Sequence, residues 1–183
     1  MSRVDPDRVT NLLGALGLVV ADRMGDAIGD AADGPETAAA ALSYLHHASD
    51  DPSIDRLRRV LGLTSSGTVR LVDRLEDDGH VRRRAGSDAR SSIVVLTASG
   101  RRAAKRVSGA RSGVLTDALS VLGADERREL EELISRMLVG MMRGPGAVRW
   151  MCRLCDMTAC GRDAGRCPVA NAAKERWGSP GER

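Results

Sequence analysis

The stretch Ser53–Thr97, SIDRLRRVLGLTSSGTVRLVDRLEDDGHVRRRAGSDARSSIVVLT, changes its hydrophobic period part-way along, and that change leaves few folds open. Ile54, Leu57 and Leu61 recur at helical spacing behind Ser53 or Asp50 as a cap, which predicts a short helix over 54–60. Gly62-Leu63 is a tight connection to Thr64, a second N-cap. The helix that follows runs to about Asp78 and stops at Gly79. Ile93-Val94-Val95 is then a β-branched run, and AGSDARSS is rich in turn formers, so the segment reads as a two-stranded hairpin with a long basic tip. Two short helices across a tight turn, followed at once by a basic hairpin, make a winged helix–turn–helix.

Helical periodicity also flanks this unit. Pro6 opens a helix over 6–32, with Val9, Leu12, Leu13, Leu16, Val19, Val20, Met24 and Ile28 on its apolar side. A helix over about 36–49 carries Ala39, Leu42 and Leu45. Thr97 caps a long helix to about Leu122, and a last one over 125–143 ends at Gly144-Pro145-Gly146. The expected fold is mainly α with a small β-wing, a winged helix–turn–helix with dimerisation helices at both ends. The outer helices carry more apolar face than a lone winged helix can bury. Residues 1–143 form the expected DNA-binding domain, its DNA-binding lobe at about 36–97, and 144–183 a separate tail.

Charge supports a polyanionic partner. The net charge is +3, yet from Arg56 to Arg111 there are 14 Lys/Arg against 5 Asp/Glu, so the remainder carries about −6. Such a basic block is the footprint of nucleic acid. With no Phe, one Tyr and two Trp, stacking of bases on aromatic side chains is not the expected mode.

In the helix after Thr64, Val69, Val72 and Leu75 are expected to face the core. That leaves Ser65, Ser66, Gly67, Thr68, Arg70 and Arg74 outward. Small hydroxyl residues at a helix N-terminus suit a phosphate or base edge, and Arg70 and Arg74 suit guanine in the major groove. In the wing, Arg82, Arg83, Arg84 and Arg90 are candidate DNA contacts, since an arginine at a hairpin tip can enter a narrow minor groove. Asp88 would be repelled by phosphate, so its expected role is to orient an arginine.

The stretch SSGTVRLVDRLEDDGHVRRRAGSDARSSIVVLTASGR resembles the multiple-antibiotic-resistance regulator (MarR) family. The likeness lies in a T-V-x-x-L-V-D-R-L-E recognition helix ending in glycine, a wing with D-x-R, and a V-x-L-T-x-x-G helix start; it extends over about 6–143. It places Arg90 on the family's minor-groove arginine and Asp88 on the acidic residue before it. It implies a homodimer formed by the first, fifth and sixth helices on a pseudo-palindromic operator, and a small-molecule effector held between the dimer and DNA-binding lobes. The chain departs from the pattern by continuing some forty residues beyond the last dimer helix.

That extension holds all four cysteines, in the spacing Cys152-x2-Cys155-x4-Cys160-x6-Cys167. They lie among charged residues, which is poor core material. Four thiolates suit tetrahedral zinc. A single loop supplying successive ligands, with proline after the last cysteine, suits an iron–sulfur cluster, although the spacing matches no standard signature. A metal-free thiol switch and an unused cluster are further readings. Pro168 predicts a helix over 168–177 ended by Gly178, with Cys167 at its positive end.

Cys152, Cys155, Cys160 and Cys167 are therefore the expected metal ligands, with an iron–sulfur cluster preferred and Zn²⁺ the alternative. His46, His47 and His80 are not expected to join them. The leading reading is a transcriptional regulator, in the repressor sense, whose operator binding the cysteine site modulates as a redox or metal sensor. The alternative is a regulator with a small-molecule effector and a structural zinc tail. An iron–sulfur electron-transfer protein or enzyme is a distant third, because no acid/base or nucleophile constellation accompanies the cysteines. No signal-peptide layout or membrane-length apolar run is visible, so a cytoplasmic location is expected.

Overall fold

A computed structural model describes residues 6–32, 34–48, 51–86 and 92–178. Its elements in chain order are α1 (Pro6–Ala32), α2 (Glu36–His47), α3 (Ile54–Leu61), α4 (Ser65–Asp77), β1 (Val81–Ala85), β2 (Ser92–Leu96), α5 (Ala98–Leu119), α6 (Ala124–Gly140), α7 (Ala147–Met151) and α8 (Pro168–Trp177).

Local chemistry sets the helix starts. Ser53 accepts from the Arg56 amide, Thr64 from Gly67 and Thr97 from Gly100, each satisfying an amide that has no partner inside its own helix. Gly62 ends α3 with φ 66°, a left-handed conformation that glycine adopts without a Cβ clash. β1 and β2 pair antiparallel with Val81 opposite Leu96 and Arg83 opposite Val94, and Ser53 adds a bridge to Ile93.

The lobe closes around one core. Leu42 from α2, Leu57 from α3, Val72 and Leu75 from α4, and Val81 and Val94 from the wing pack together with Ala103 and Ala104 of α5. Fully burying side chains of this size contributes about 1.5–3 kcal/mol each. The result is a winged helix–turn–helix. α5 continues from the lobe to pack along α1, where Ile28, Ala32, Ala39 and Val107 form a second cluster.

The outer helices are left open. Leu12, Leu16 and Leu18 on α1 are 57%, 57% and 68% exposed, and no side chain of α6 is fully buried. Leu12 and Leu16 lie on one side of α1, and exposed apolar side chains grouped on a helix side are a common feature of contact faces. Differences from the sequence expectation are small at helix ends: α2 stops at His47, α5 at Leu119 and α6 at Gly140, while α7 was not anticipated. Met142, beyond α6, is buried in the tail and does not extend the helix.

Candidate nucleic-acid interface and cysteine site

α4 divides its side chains between core and solvent. Thr68, Leu71, Val72 and Leu75 are buried, whereas Ser65, Ser66, Val69, Arg70 and Arg74 are exposed. Two expectations are corrected here. Thr68 faces inward: its hydroxyl donates to the Thr64 carbonyl at 2.9 Å, so a buried polar group is satisfied within one helical turn. Val69 takes the outward place expected for Thr68, 43% exposed beside Arg70.

Arg83 is the third correction. Expected to reach DNA, it is half-buried against α4, where its guanidinium binds the carboxylates of Asp73 and Glu76. Its backbone amide also donates to Glu76 at 2.9 Å. That backbone hydrogen bond, followed by the guanidinium contact, holds the Glu76 carboxyl below its usual range. Alternation along β1 explains the orientation, because Arg83 shares a face with buried Val81. Arg82 and Arg84 point to the other face and are exposed, Arg84 standing 3.6 Å from Asp51. Asp88 and Arg90 lie outside the described residues.

The base of the wing is fastened to α5. Thr97 donates its hydroxyl to the Gly79 carbonyl at 2.7 Å, and its amide donates to His80 at 3.0 Å. Gly100 packs so closely that an added Cβ would stand 1.9 Å from the His80 carbonyl oxygen.

The cysteine segment is a chain of tight turns. Amide-to-carbonyl bonds run from Cys155 to Cys152, Cys160 to Asp156 and Gly165 to Arg162, all at 3.0 Å. The Asp156 carboxylate accepts from Thr158 and Ala159 at 2.9 and 3.1 Å. α8 begins as anticipated, with Cys167 Sγ accepting from the Ala170 amide at 3.5 Å and Pro168 in the first turn. The four thiols influence one another, Cys155 and Cys167 both acting on Cys152 and on Cys160. Cys152 hydrogen-bonds Cys155, and this bond, helped by Arg111 and Arg162, lowers the Cys155 thiol to about 6 and raises that of Cys152. Cys160 hydrogen-bonds Cys167, and burial followed by that bond pushes Cys160 up to about 11. Among the described residues no group of three or more His, Cys, Asp or Glu side chains is set to hold a metal ion in this conformation. The donor set itself, four thiols in one short segment, has the chemistry of a tetrathiolate centre.

The segment is docked on both sides. Leu154 joins the cluster of Ile28, Ala32, Ala39 and Val107, and Asp156 stands 3.9 Å from His47 on α2. Arg153 reaches Glu36 at 3.8 Å. On the other side α8 packs on α6, with Arg176 donating to the Val139 carbonyl at 3.2 Å.

The MarR family model matches residues 35–91. Over this segment the chain is similar to the MarR family. Among curated proteins, the HTH-type transcriptional regulator YdgJ of Bacillus subtilis is 32% identical over 97 residues, which are 52% of this chain and 58% of YdgJ. The match thus spans a little over half the length of that relative. Among solved structures, Sco3205 of Streptomyces coelicolor, a MarR family transcriptional regulator in complex with DNA, superposes with a TM-score of 0.61 at 20% identity, covering 82% of this chain and 98% of that one. CouR of Rhodococcus jostii RHA1, bound to p-coumaroyl-CoA, superposes with a TM-score of 0.55 at 17% identity over 78% and 100% of the two chains. At such identities the likeness is one of fold.

The MarR-family domain match covers the positions of Ser65, Ser66, Arg70, Arg74 and the wing, and ends well before the cysteines. His47 belongs to the matched segment, and sequence reasoning did not connect it with the tail. It is half-buried, and this desolvation lowers its pKa while Asp156 opposes the shift. No local pattern could have joined His47 to Asp156, which is more than a hundred residues away. Val69 was available from the helical phase, had Thr68 been allowed into the core.

Proposed function

We propose that this chain is a DNA-binding transcriptional regulator that acts as a homodimer on a pseudo-palindromic operator. The observation that carries this reading is the outward row Ser65, Ser66, Val69, Arg70 and Arg74 on α4, beside a wing bearing Arg82 and Arg84. Under this reading Arg70 and Arg74 read guanine edges, Val69 meets a thymine methyl, and the hydroxyls near the start of α4 bind phosphate. The exposed leucines of α1 and the open side of α6 supply the dimer face. Fluorescence anisotropy with operator duplexes from the neighbouring promoter tests the reading. Arg70→Ala is expected to weaken specific binding by about tenfold or more, the worth of one bidentate base contact. Unchanged affinity and sequence preference in that variant would sink the assignment.

Under the same reading the four cysteines hold an iron–sulfur cluster and report redox state or metal supply to the operator-binding lobe. A cluster supplies redox sensitivity when bound; Arg162 and Arg111, which already favour the Cys155 thiolate, offset its negative charge. Docking of the segment against α2 and α6 gives a route for that signal. A second reading, a zinc site that only staples the tail, is favoured by the small core built around Cys167, which is 1% exposed. The spectrum and metal content of protein purified without oxygen separate the two. Brown protein with iron and sulfide supports the sensor; colourless protein with about one zinc per chain supports the staple. A Cys155→Ser protein with unaltered operator affinity and redox response removes the sensor reading.

A further inference from the structure

The tail has the charge of the lobe and not of the helix it follows. Residues 144–178 carry six Arg/Lys against three Asp/Glu, whereas α6 carries three against five and α1 two against four. This second basic stretch lies well beyond the matched segment 35–91.

Packing gives that charge a place. α7 packs on α3 and α8 packs on α7, so three helices follow one another away from the helix–turn–helix. α3 is the first helix of that motif, the one that crosses the DNA backbone in this architecture. It carries Arg56, Arg58 and Arg59 against a single carboxylate, Asp55. On the next two helices Arg149 and Lys174 are exposed and make no ion pair among the described residues. Other tail cations are engaged inside the chain. Arg153 stands 3.8 Å from Glu36, Arg176 donates to the Val139 carbonyl, and Arg166 folds over Gly161. A tetrathiolate centre would draw on Arg162 and Arg111, the cations that already act on the Cys155 thiol, and leave Arg149 and Lys174 outward. Packed helices stand about 8–10 Å apart, so α3 to α8 spans at most about 20 Å, roughly half a turn of duplex. Two uncommitted cations within that distance of a backbone-crossing helix suit phosphate, which a charged side chain meets without reading sequence.

We propose that the tail is a second DNA-contacting surface, in which Arg149 and Lys174 bind phosphates of the operator backbone next to those met by α3. The inference rests on the DNA-binding reading and extends it to a segment outside the family match. These contacts add affinity and leave sequence preference to α4 and the wing.

Fluorescence anisotropy on the full chain, as purified, tests it with a duplex from the neighbouring promoter and a scrambled duplex of equal length, between about 50 and 200 mM salt. For Arg149→Gln/Lys174→Gln, the slope of log affinity against log salt is expected to fall by about 1.8, two phosphate contacts at about 0.9 each. Both duplexes should bind about tenfold more weakly, with the ratio between them unchanged. Thermal melting and metal content should match the parent protein. If the double variant melts early, Arg149→Gln and Lys174→Gln are measured singly, each expected to lower the slope by about 0.9. Arg70→Ala should do the reverse and narrow the ratio between the duplexes. An unchanged slope in the tail variants, with the parent binding its operator and Arg70→Ala impaired, overturns the tail contact and leaves the α4 reading standing. Loss of operator preference without a change of slope would show an indirect effect through the lobe and overturn it equally. A parent protein that binds neither duplex removes both readings.

Discussion

In the lobe, Leu42, Leu57, Val72 and Val94 are shut off from solvent and come from four different elements, each closing the cavity the others leave. In the tail the core is mostly small: Ala147, Ala172 and Ala173 with Val169, Met142 and Cys167. Between α7 and α8 its backbone is held by successive turns. Apolar area alone can specify the lobe. The tail has fewer and smaller buried side chains, and a metal held by its four thiols, as proposed above, would add the cross-link that a small core lacks.

Substitutions in each region sharpen this contrast. Leu57→Ala is expected to cost about 2–5 kcal/mol in chemical denaturation, the range for a fully buried leucine, and to abolish DNA binding with the fold of the lobe. A loss under about 1 kcal/mol would mean that the lobe relies on something other than this core. Leu154→Ala, at the seam, should cost about 1–2 kcal/mol because its site is only partly shielded. Limited proteolysis should then cut the tail while the lobe stays intact; simultaneous loss of both would show one cooperative unit.

In reduced, metal-free protein Cys155 should alkylate fastest of the four thiols. Its lowered pKa of about 6 makes it thiolate at neutral pH, so its rate should fall about tenfold between pH 7 and pH 5. Mass mapping of the labelled cysteines checks the order. The smallest effect is expected for Arg83→Gln. This partly exposed ion pair is worth about 0.5–1 kcal/mol of stability, and the loosened wing should weaken operator binding with little change in melting. Weakening as severe as that of Arg70→Ala would return Arg83 to the DNA surface.

Much of the lobe was legible because its punctuation is local. Ser53, Thr64 and Thr97 announce helix starts by accepting from amides three residues on, Pro168 does so by its fixed φ, and all four starts stand where they were expected. Thr68 and Arg83 were misjudged for one reason: each was classed by polarity, and each satisfies its polar atoms inside the protein. Strand alternation from Val81 would have turned Arg83 inward. The cysteines were visible as a cluster, but the contacts of Leu154 and Asp156 depend on residues distant in the chain. No pattern within the tail encodes α2 as its neighbour.

Gly100 has a consequence for how the two ends of the molecule communicate. Where hydrogen alone separates the first turn of α5 from the His80 carbonyl, the helix cannot pivot independently of the wing. α5 then behaves as a rigid crank, its handle lying along α1 and its shaft set into the hairpin. A methyl group at position 100 would add slack to the bearing, leaving the wing and the long helices folded but out of step.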